Sequence, residues 1–342
     1  MKLSDLGEWG LIRQLRERLP ASGGGVIVGL GDDAAVLEPL PGLALFTCDT
    51  MVEGVHFRRR WATPRQVGWK VLVQNLSDIA AMGGEPTAAV VSLALPGDLP
   101  VSFVSELYDG LESAAREYGA ALAGGDTVGS PGPVAITVAL LGHVNPGEVI
   151  RRSGAQAGDA LLVTGTLGGP AAGLRWLERR RKITPEVEPA VRALLEPVPQ
   201  ISAGRVLARS GRVHAMIDVS DGLADDASHL AEESGVGVRV YDARLPIHPA
   251  ARIVAEALGE SAMALARAGG EEYELLFTCA AAEAEGLTEL LLREAKTAAT
   301  IIGEVTADPG ERAAVTAEGA AEPLGRGYQH FGRSRVRKAP KQ

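Results

Sequence analysis

QNLSDIAAMGGEP, Gln74 to Pro86, sets one carboxylate, Asp78, among small apolar residues just ahead of a Gly-Gly turn. Leu76, Ile79, Ala80 and Met82 fall near helical spacing, which predicts a buried helix with Asp78 on the side that does not meet the core. Ser77 and Asn75 are candidate caps for its start. Taken alone, Asp78 reads first as a cap or a surface residue. Recurrence of the pattern changes that reading.

The same Gly-rich, apolar frame surrounds Asp32 and Asp33 in GLGDDAAVL, Asp49 in LFTCDTMVEGVHF, Asp126 in LAGGDTV, and Asp218 with Asp221 in MIDVSDGLADD. If these acids converge, bound cations must cancel their repulsion, because like charges a few ångströms apart cannot all stay ionised unaided. Hard divalent ions, Mg2+ above all, suit such oxygen ligands.

A chain of 342 residues predicts two domains, and 46% hydrophobic content is ample for their cores. The net charge of -9 argues against a nucleic-acid footprint, which needs a basic face. Met1 to Leu19 lacks the continuous apolar core of a secretory signal, and no run is long enough to span a membrane. Cys48 and Cys279 lie far apart without a CxxC, so neither a zinc site nor a disulfide framework is suggested. The expectation is a soluble cytoplasmic protein whose partners are small molecules or proteins.

Along the chain, Leu6 to Leu19 reads as an amphipathic helix and Val26 to Val28 as a strand running into a turn at Asp32 and Asp33. Leu43 to Cys48 is a continuous apolar run, expected to be a strand buried on both faces with Asp49 at its end, so that Thr47, Cys48 and Asp49 line one rim. Gln66 to Met82 is helical, Ala88 to Leu95 a strand, and Phe103 to Tyr118 a helix stopped by Gly119. Gly124 to Thr127 precedes a strand from Val134 to Leu141, and Asn145-Pro146-Gly147 is the candidate domain boundary.

The second part starts afresh with a strand at Ala160 to Thr164, a Gly-rich loop from Gly165 to Pro170 and a helix at Ala171 to Arg181, the order of an α/β unit. That loop reads as a plain turn; no Gly-Lys pair occurs anywhere, which excludes a Walker-type P-loop. Asp218 and Asp221 flank a strand-to-helix junction, and Asp225, Asp226 and His229 read as the solvated face of the helix that follows. Gly269-Gly270-Glu271-Glu272-Tyr273-Glu274 reads equally as a substrate loop or as a helix stop followed by surface charge. From Arg333 the last ten residues hold five Arg or Lys, expected to form a solvated, disordered tail.

With GLGDDAAVL, TCDTMVEGVHF, NLSDIAAMGGEP, GGDT, RRSGAQAGD, VTGTLGG, IDVSDGL, GGEEYELLFT and GYQHF in this order, the sequence resembles the thiamine-monophosphate kinase family, of the superfamily that includes aminoimidazole ribonucleotide synthetase. The resemblance covers nearly the whole chain. It implies an α/β (α+β) protein of two domains: residues 1–146 for ATP, Mg2+ and dimerisation through a shared sheet barrel, residues 147–332 as a C-terminal α/β domain, and 333–342 as the basic tail.

The implied reaction is direct in-line transfer of the γ-phosphoryl group of ATP to thiamine monophosphate, giving thiamine diphosphate. The implied magnesium ligands are Asp33, Thr47, Cys48, Asp49, Asp78, Asp126, Asp218 and Asp221. Cys48 departs from the hydroxyl residue common in the family: a side-chain ligand would be weakened there, a backbone oxygen would not. Tyr108, Gly125, Asp126, Arg152 and Ser220 correspond to nucleotide contacts, and His56, Glu271 and Tyr328 to contacts with the thiamine moiety. No dedicated catalytic acid or base is implied. The rival readings are another ATP-dependent enzyme of the superfamily and a non-catalytic thiamine-phosphate or nucleotide sensor.

Overall fold

The computed structural model describes residues 1–19, 24–30 and 33–328. Asp32 and the tail from Arg333 lie outside them. In chain order the first half comprises α1 (Leu3–Leu6), α2 (Glu8–Arg18), β1 (Val26–Val28), β2 (Val36–Leu37), β3 (Leu43–Val52), α3 (Pro64–Ala81), β4 (Glu85–Leu95), α4 (Val101–Tyr118), β5 (Ala121–Gly129) and β6 (Ala135–Val144). β1 and β2 form a small antiparallel pair. The remaining strands make a mixed sheet in the order β3-β6-β4-β5.

α3 begins where its sequence says it should. The Thr63 hydroxyl accepts from Gln66 N at 3.3 Å, Gln66 Oε1 accepts from Thr63 N at 3.0 Å, and Pro64 follows at the first helical position. Asn75 and Ser77 therefore stand in the interior of a helix and do not cap it. Asn75 Nδ2 donates back to Val71 O, and Ser77 turns to a partner in the second half. α3 and α4 cover one face of the sheet and approach each other at glycines. A Cβ on Gly68 would run into Leu107 O, and one on Gly110 into Arg65 O.

The other face of this sheet leaves Phe46 70%, Val90 42% and Val128 48% exposed. β3 accordingly alternates between exposed and half-buried positions, so the expectation of burial on both faces fails, and Asp49 sits within the strand, not at its end. Gly124 to Thr127 likewise lie inside β5. The sheet does not close into a barrel: β3 and β5 remain its two edges among the described residues.

The second half comprises β7 (Asp159–Thr164), α5 (Gly169–Glu178), α6 (Glu188–Leu195), α7 (Ile201–Ser210), β8 (Val213–Asp218), α8 (Leu223–Ser234), β9 (Gly237–Tyr241), α9 (Pro249–Leu258), α10 (Ala262–Ala268), β10 (Leu275–Ala280), α11 (Ala284–Glu294), β11 (Ala299–Thr306), β12 (Arg312–Val315) and β13 (Ala321–Pro323). Its seven strands run β13-β12-β9-β11-β7-β10-β8. Among the described residues of this second sheet only the β12–β9 pair is parallel and the others are antiparallel, so strand and helix alternate in sequence without building a parallel sheet. Helices on both faces bury two apolar clusters, one under α5, α8 and α9 and one under α7 and α11.

The two sheets meet along α3. Gly204 of α7 lies so close to the end of α3 that a Cβ there would strike Ala80 O, and Tyr273, from the loop before β10, is buried in the core of the first half. Among the described residues no helix is long and apolar enough to cross a membrane. Because α3 and α4 touch through glycine, Gly110→Ala is expected to lower stability by about 2 kcal/mol. Urea unfolding checks this; an unchanged midpoint at equal slope would contradict the close approach.

Candidate active site

Alternation along β3 places Thr47 and Asp49 on the face that α3 covers and sends Cys48 to the open face, where its thiol is exposed. The expectation of one rim shared by all three side chains is corrected: Cys48 can offer the site only its backbone. α3 brings Asp78 against this face. The Thr47 hydroxyl donates to Asp78 Oδ2, and Asp49 stands near enough to Asp78 for its carboxyl to feel that charge. One residue earlier on the same helix, Ser77 Oγ donates to Asp218 Oδ2 at 2.7 Å, which ties the end of β8 to α3.

Three carboxylates, Asp49, Asp78 and Asp218, thus gather at the seam between the sheets. Burial, and then the charge of Asp78, pushes Asp49 and Asp218 each up to about 7. Asp78 is raised too, by its own burial, against the opposing pull of the Thr47 hydroxyl and the Arg152 charge. As placed, no three His, Cys, Asp or Glu side chains among the described residues enclose a common point. The donor chemistry nevertheless suits hard divalent cations, since Thr47, Ser77, Asp49, Asp78 and Asp218 all offer oxygen and the acids repel one another without positive charge.

The seam separates two cavities. A cavity of about 490 Å³ is lined by Thr47 and Asp78 together with Arg151, Arg152 and Ser153. A larger one of about 930 Å³ is bounded by Asp49, Ser220 and Asp221 at one side and holds His56, Glu271 and Tyr328. His56 Nδ1 accepts from Val52 N at 3.0 Å, so the ring proton is on Nε2. Tyr328 N donates to Asp221 O at 2.9 Å, and Glu271 N to Ser220 O at 2.7 Å, which fixes both segments to the β8–α8 loop.

That loop is organised by a residue expected on the solvated face. Asp226 is 2% exposed, and its Oδ2 accepts from the N–H groups of Ser220, Asp221 and Gly222 at 3.1, 3.2 and 3.0 Å. The signal was available: an acid in the first turn after a Ser-Asp-Gly entry is a helix-start pattern, and its carboxylate satisfies the free amides. Sequence reasoning also missed Lys70, a buried lysine of α3 paired with Glu271 at 2.7 Å. It missed the half-buried Glu274 as well, which accepts from Thr164 Oγ1 at 2.5 Å and is pushed up to about 7 by the desolvation of its carboxyl.

Gly125, Asp126 and Tyr108 are not brought to the seam. Asp126 and Gly125 lie on β5, in lateral register with Thr50 and Asp49 on β3 but across the whole sheet. Three strand spacings put them about 14 Å away. Asp33 is exposed in the bend before β2. Tyr108 is 3% exposed within the core of the first half and has no ring face for a nucleotide base.

Residues 31–144 match the AIR synthase related protein N-terminal domain, and residues 156–316 the corresponding C-terminal domain. The thiamine-monophosphate kinase of Synechococcus elongatus is 37% identical over 336 residues, 96% of this chain and 98% of that one. The Escherichia coli K12 protein of the same name is 35% identical over 95% of this chain and 98% of its own. The crystal structure of thiamine-monophosphate kinase from Stenotrophomonas maltophilia K279a superposes with a TM-score of 0.79 at 36% identity, covering 91% of this chain and 96% of that one. A structure of AaThiL complexed with AMPPCP and TMP superposes at 0.74 with 32% identity, over 97% and 99% of the two chains.

The raised carboxyls give a linkage prediction. Without divalent ions, folded Asp218 keeps a proton up to about pH 7 that the unfolded chain, with an ordinary value of 3.8, has already lost. The resulting cost to stability is absent below about pH 4, grows as the pH rises and is complete above about pH 7. In a chelating buffer Asp218→Asn is therefore expected to raise Tm at pH 8 and to leave it nearly unchanged at pH 4. A lower Tm at pH 8 would contradict the repulsion.

Proposed function

The chain belongs to the thiamine-monophosphate kinase family, within the AIR synthase related proteins, and on that premise we propose that it transfers the γ-phosphoryl group of ATP to thiamine monophosphate, giving thiamine diphosphate and ADP. The observation that supports this most is the carboxylate seam standing between an arginine-bearing cavity and a larger, mixed one. Donor and acceptor can then approach from opposite sides of the same oxygen ligands. The larger cavity is of a size that takes a small organic ligand.

In this reading Arg152 binds the phosphates of the donor nucleotide, and the Ser220 segment, held by Asp226, borders the point of transfer. Thr47, Asp49, Asp78, Asp218 and Asp221, with the backbone oxygen of Cys48, would hold several Mg2+ ions. Bound there, Mg2+ neutralises the repulsion between two polyanions and stabilises charge on the leaving ADP. The nucleophile is a phosphate oxygen already anionic near pH 7, so the chain needs no strong general base and the transfer can run in line. At the far side Glu271 faces the aminopyrimidine or thiazolium of the acceptor, Tyr328 offers a stacking face, and His56 presents Nε2–H.

Gly125, Asp126 and Tyr108 stay outside this arrangement, while Asp33, in the bend before β2, is kept as a proposed magnesium ligand. The open face of the first sheet, with Phe46, Val90 and Val128 exposed, supports a homodimer in which a second copy covers it, two open sheets together completing a barrel. The reaction is assigned to the cytoplasm, where ATP is available.

The test is product identity. Purified protein with ATP and Mg2+ is expected to release ADP and to form thiamine diphosphate, identified by mass, from thiamine monophosphate but not from thiamine, aminoimidazole precursors or selenide. Arg152→Ala is expected to raise the KM for ATP about tenfold. Transfer to a different acceptor would overturn the substrate assignment, and binding of both ligands without product would favour a sensor.

A further inference from the structure

Lysine is almost never buried without a partner, and breaking such a pair is costly. Lys70 is 3% exposed, the one buried lysine among the described residues. It stands on α3 two helical turns before Asp78, and its Nζ lies 2.7 Å from Glu271 Oε1. The pair crosses from the first half to the second. Both side chains line the larger cavity.

The segment that carries Glu271 explains why such a partner is needed. Three successive residues leave it in three directions. The Glu271 side chain goes to the cavity, Glu272 turns back so that its Oε1 accepts from Gly168 N at 2.6 Å, and the Tyr273 ring enters the core of the first half. Glu271 and Tyr273 adopt φ of 65° and 53°, left-handed values that non-glycine residues rarely take. Their N–H groups are held by Ser220 O at 2.7 Å and Val219 O at 2.9 Å. The backbone of Glu271 is thus pinned to the loop that follows β8, while its carboxylate is aimed by α3.

We infer that Lys70 is a positioning residue that sets acceptor specificity: by engaging Oε1 it fixes the Glu271 carboxylate so that Oε2 receives an N–H donor from the organic end of the acceptor, an amino-substituted heteroaromatic ring. This rests on the reading that Glu271 faces the acceptor. The same helix then carries Asp78 at the transfer point and Lys70 at the recognition point, a fixed spacing of eight residues, or about 12 Å along the axis. A purely structural pair would gain more from an apolar replacement than from two desolvated charges. A ligand-facing carboxylate, by contrast, needs its charge kept.

The test is a double-substitution cycle read by calorimetric binding of thiamine monophosphate, which is independent of turnover, with ATP binding and Tm measured alongside. Lys70→Met is expected to weaken thiamine monophosphate binding about tenfold or more while leaving ATP binding within about twofold. Lys70→Arg, which keeps the charge, is expected to recover most of the affinity. In a Glu271→Gln background, Lys70→Met is expected to add nothing further, because the lysine acts through that carboxylate. An unchanged affinity would overturn the proposal. So would an equal loss in the Glu271→Gln background, which would make Lys70 a direct ligand contact, or a parallel loss of ATP binding and Tm, which would make the pair structural. If Lys70→Met does not fold, Lys70→Gln carries the same comparison. Wild-type protein that binds thiamine monophosphate without forming product would overturn the kinase reading and leave this one standing.

Discussion

Repulsion among Asp49, Asp78 and Asp218 is the constraint around which the molecule is arranged. Three acids from a strand, a helix and a second sheet stand together there, with a hydroxyl donated to two of them, Thr47 to Asp78 and Ser77 to Asp218. Such a cluster is costly in a folded chain. In the proposed function positive charge arrives there with the ligands, and the seam borders a cavity on each of two sides.

α3 makes the arrangement rigid. It packs on α4 through facing glycines, on α7 through Gly204, and on the first sheet through the face that carries Asp49. One side of the helix reads, in order, Lys70, Gln74, Ser77 and Asp78, and each of these except Gln74 has a partner named above in the other half or on β3. Glycine at the contacts lets the helix axis come close enough for short side chains to reach. Ser77 could not meet Asp218 across a wider gap.

Much of this was legible in the sequence. The helices around Asp78 and after Gly222, the strands ending at Asp218 and Thr164, and the recurrence of aspartate in Gly-rich frames all follow from spacing and turn chemistry. What failed depends on facts that periodicity does not carry. The apolar run of β3 suggested burial on both faces because sequence does not say whether a second surface covers it. Cys48 left the site because strand alternation is strict, and the continuous apolar pattern concealed it. Asp126 shares a motif with Asp49 but not a location, since strand order puts β5 at the opposite edge of the sheet. Lys70 looks like an ordinary surface charge until its contact with Glu271 from the other half buries it, whereas Asp226 is held by amides of its own loop and could have been read as a helix-start acid.

In the proposed reaction the transfer depends on this carboxylate seam and not on a single acid or base. The direct measurement is the single-turnover rate of thiamine diphosphate formation from ATP and thiamine monophosphate, in wild type and in Asp49→Asn and Asp78→Asn. Circular dichroism and Tm establish that all three are folded. Loss of turnover by about a thousandfold or more in both folded variants is the result predicted. Near-normal turnover in both would contradict the account.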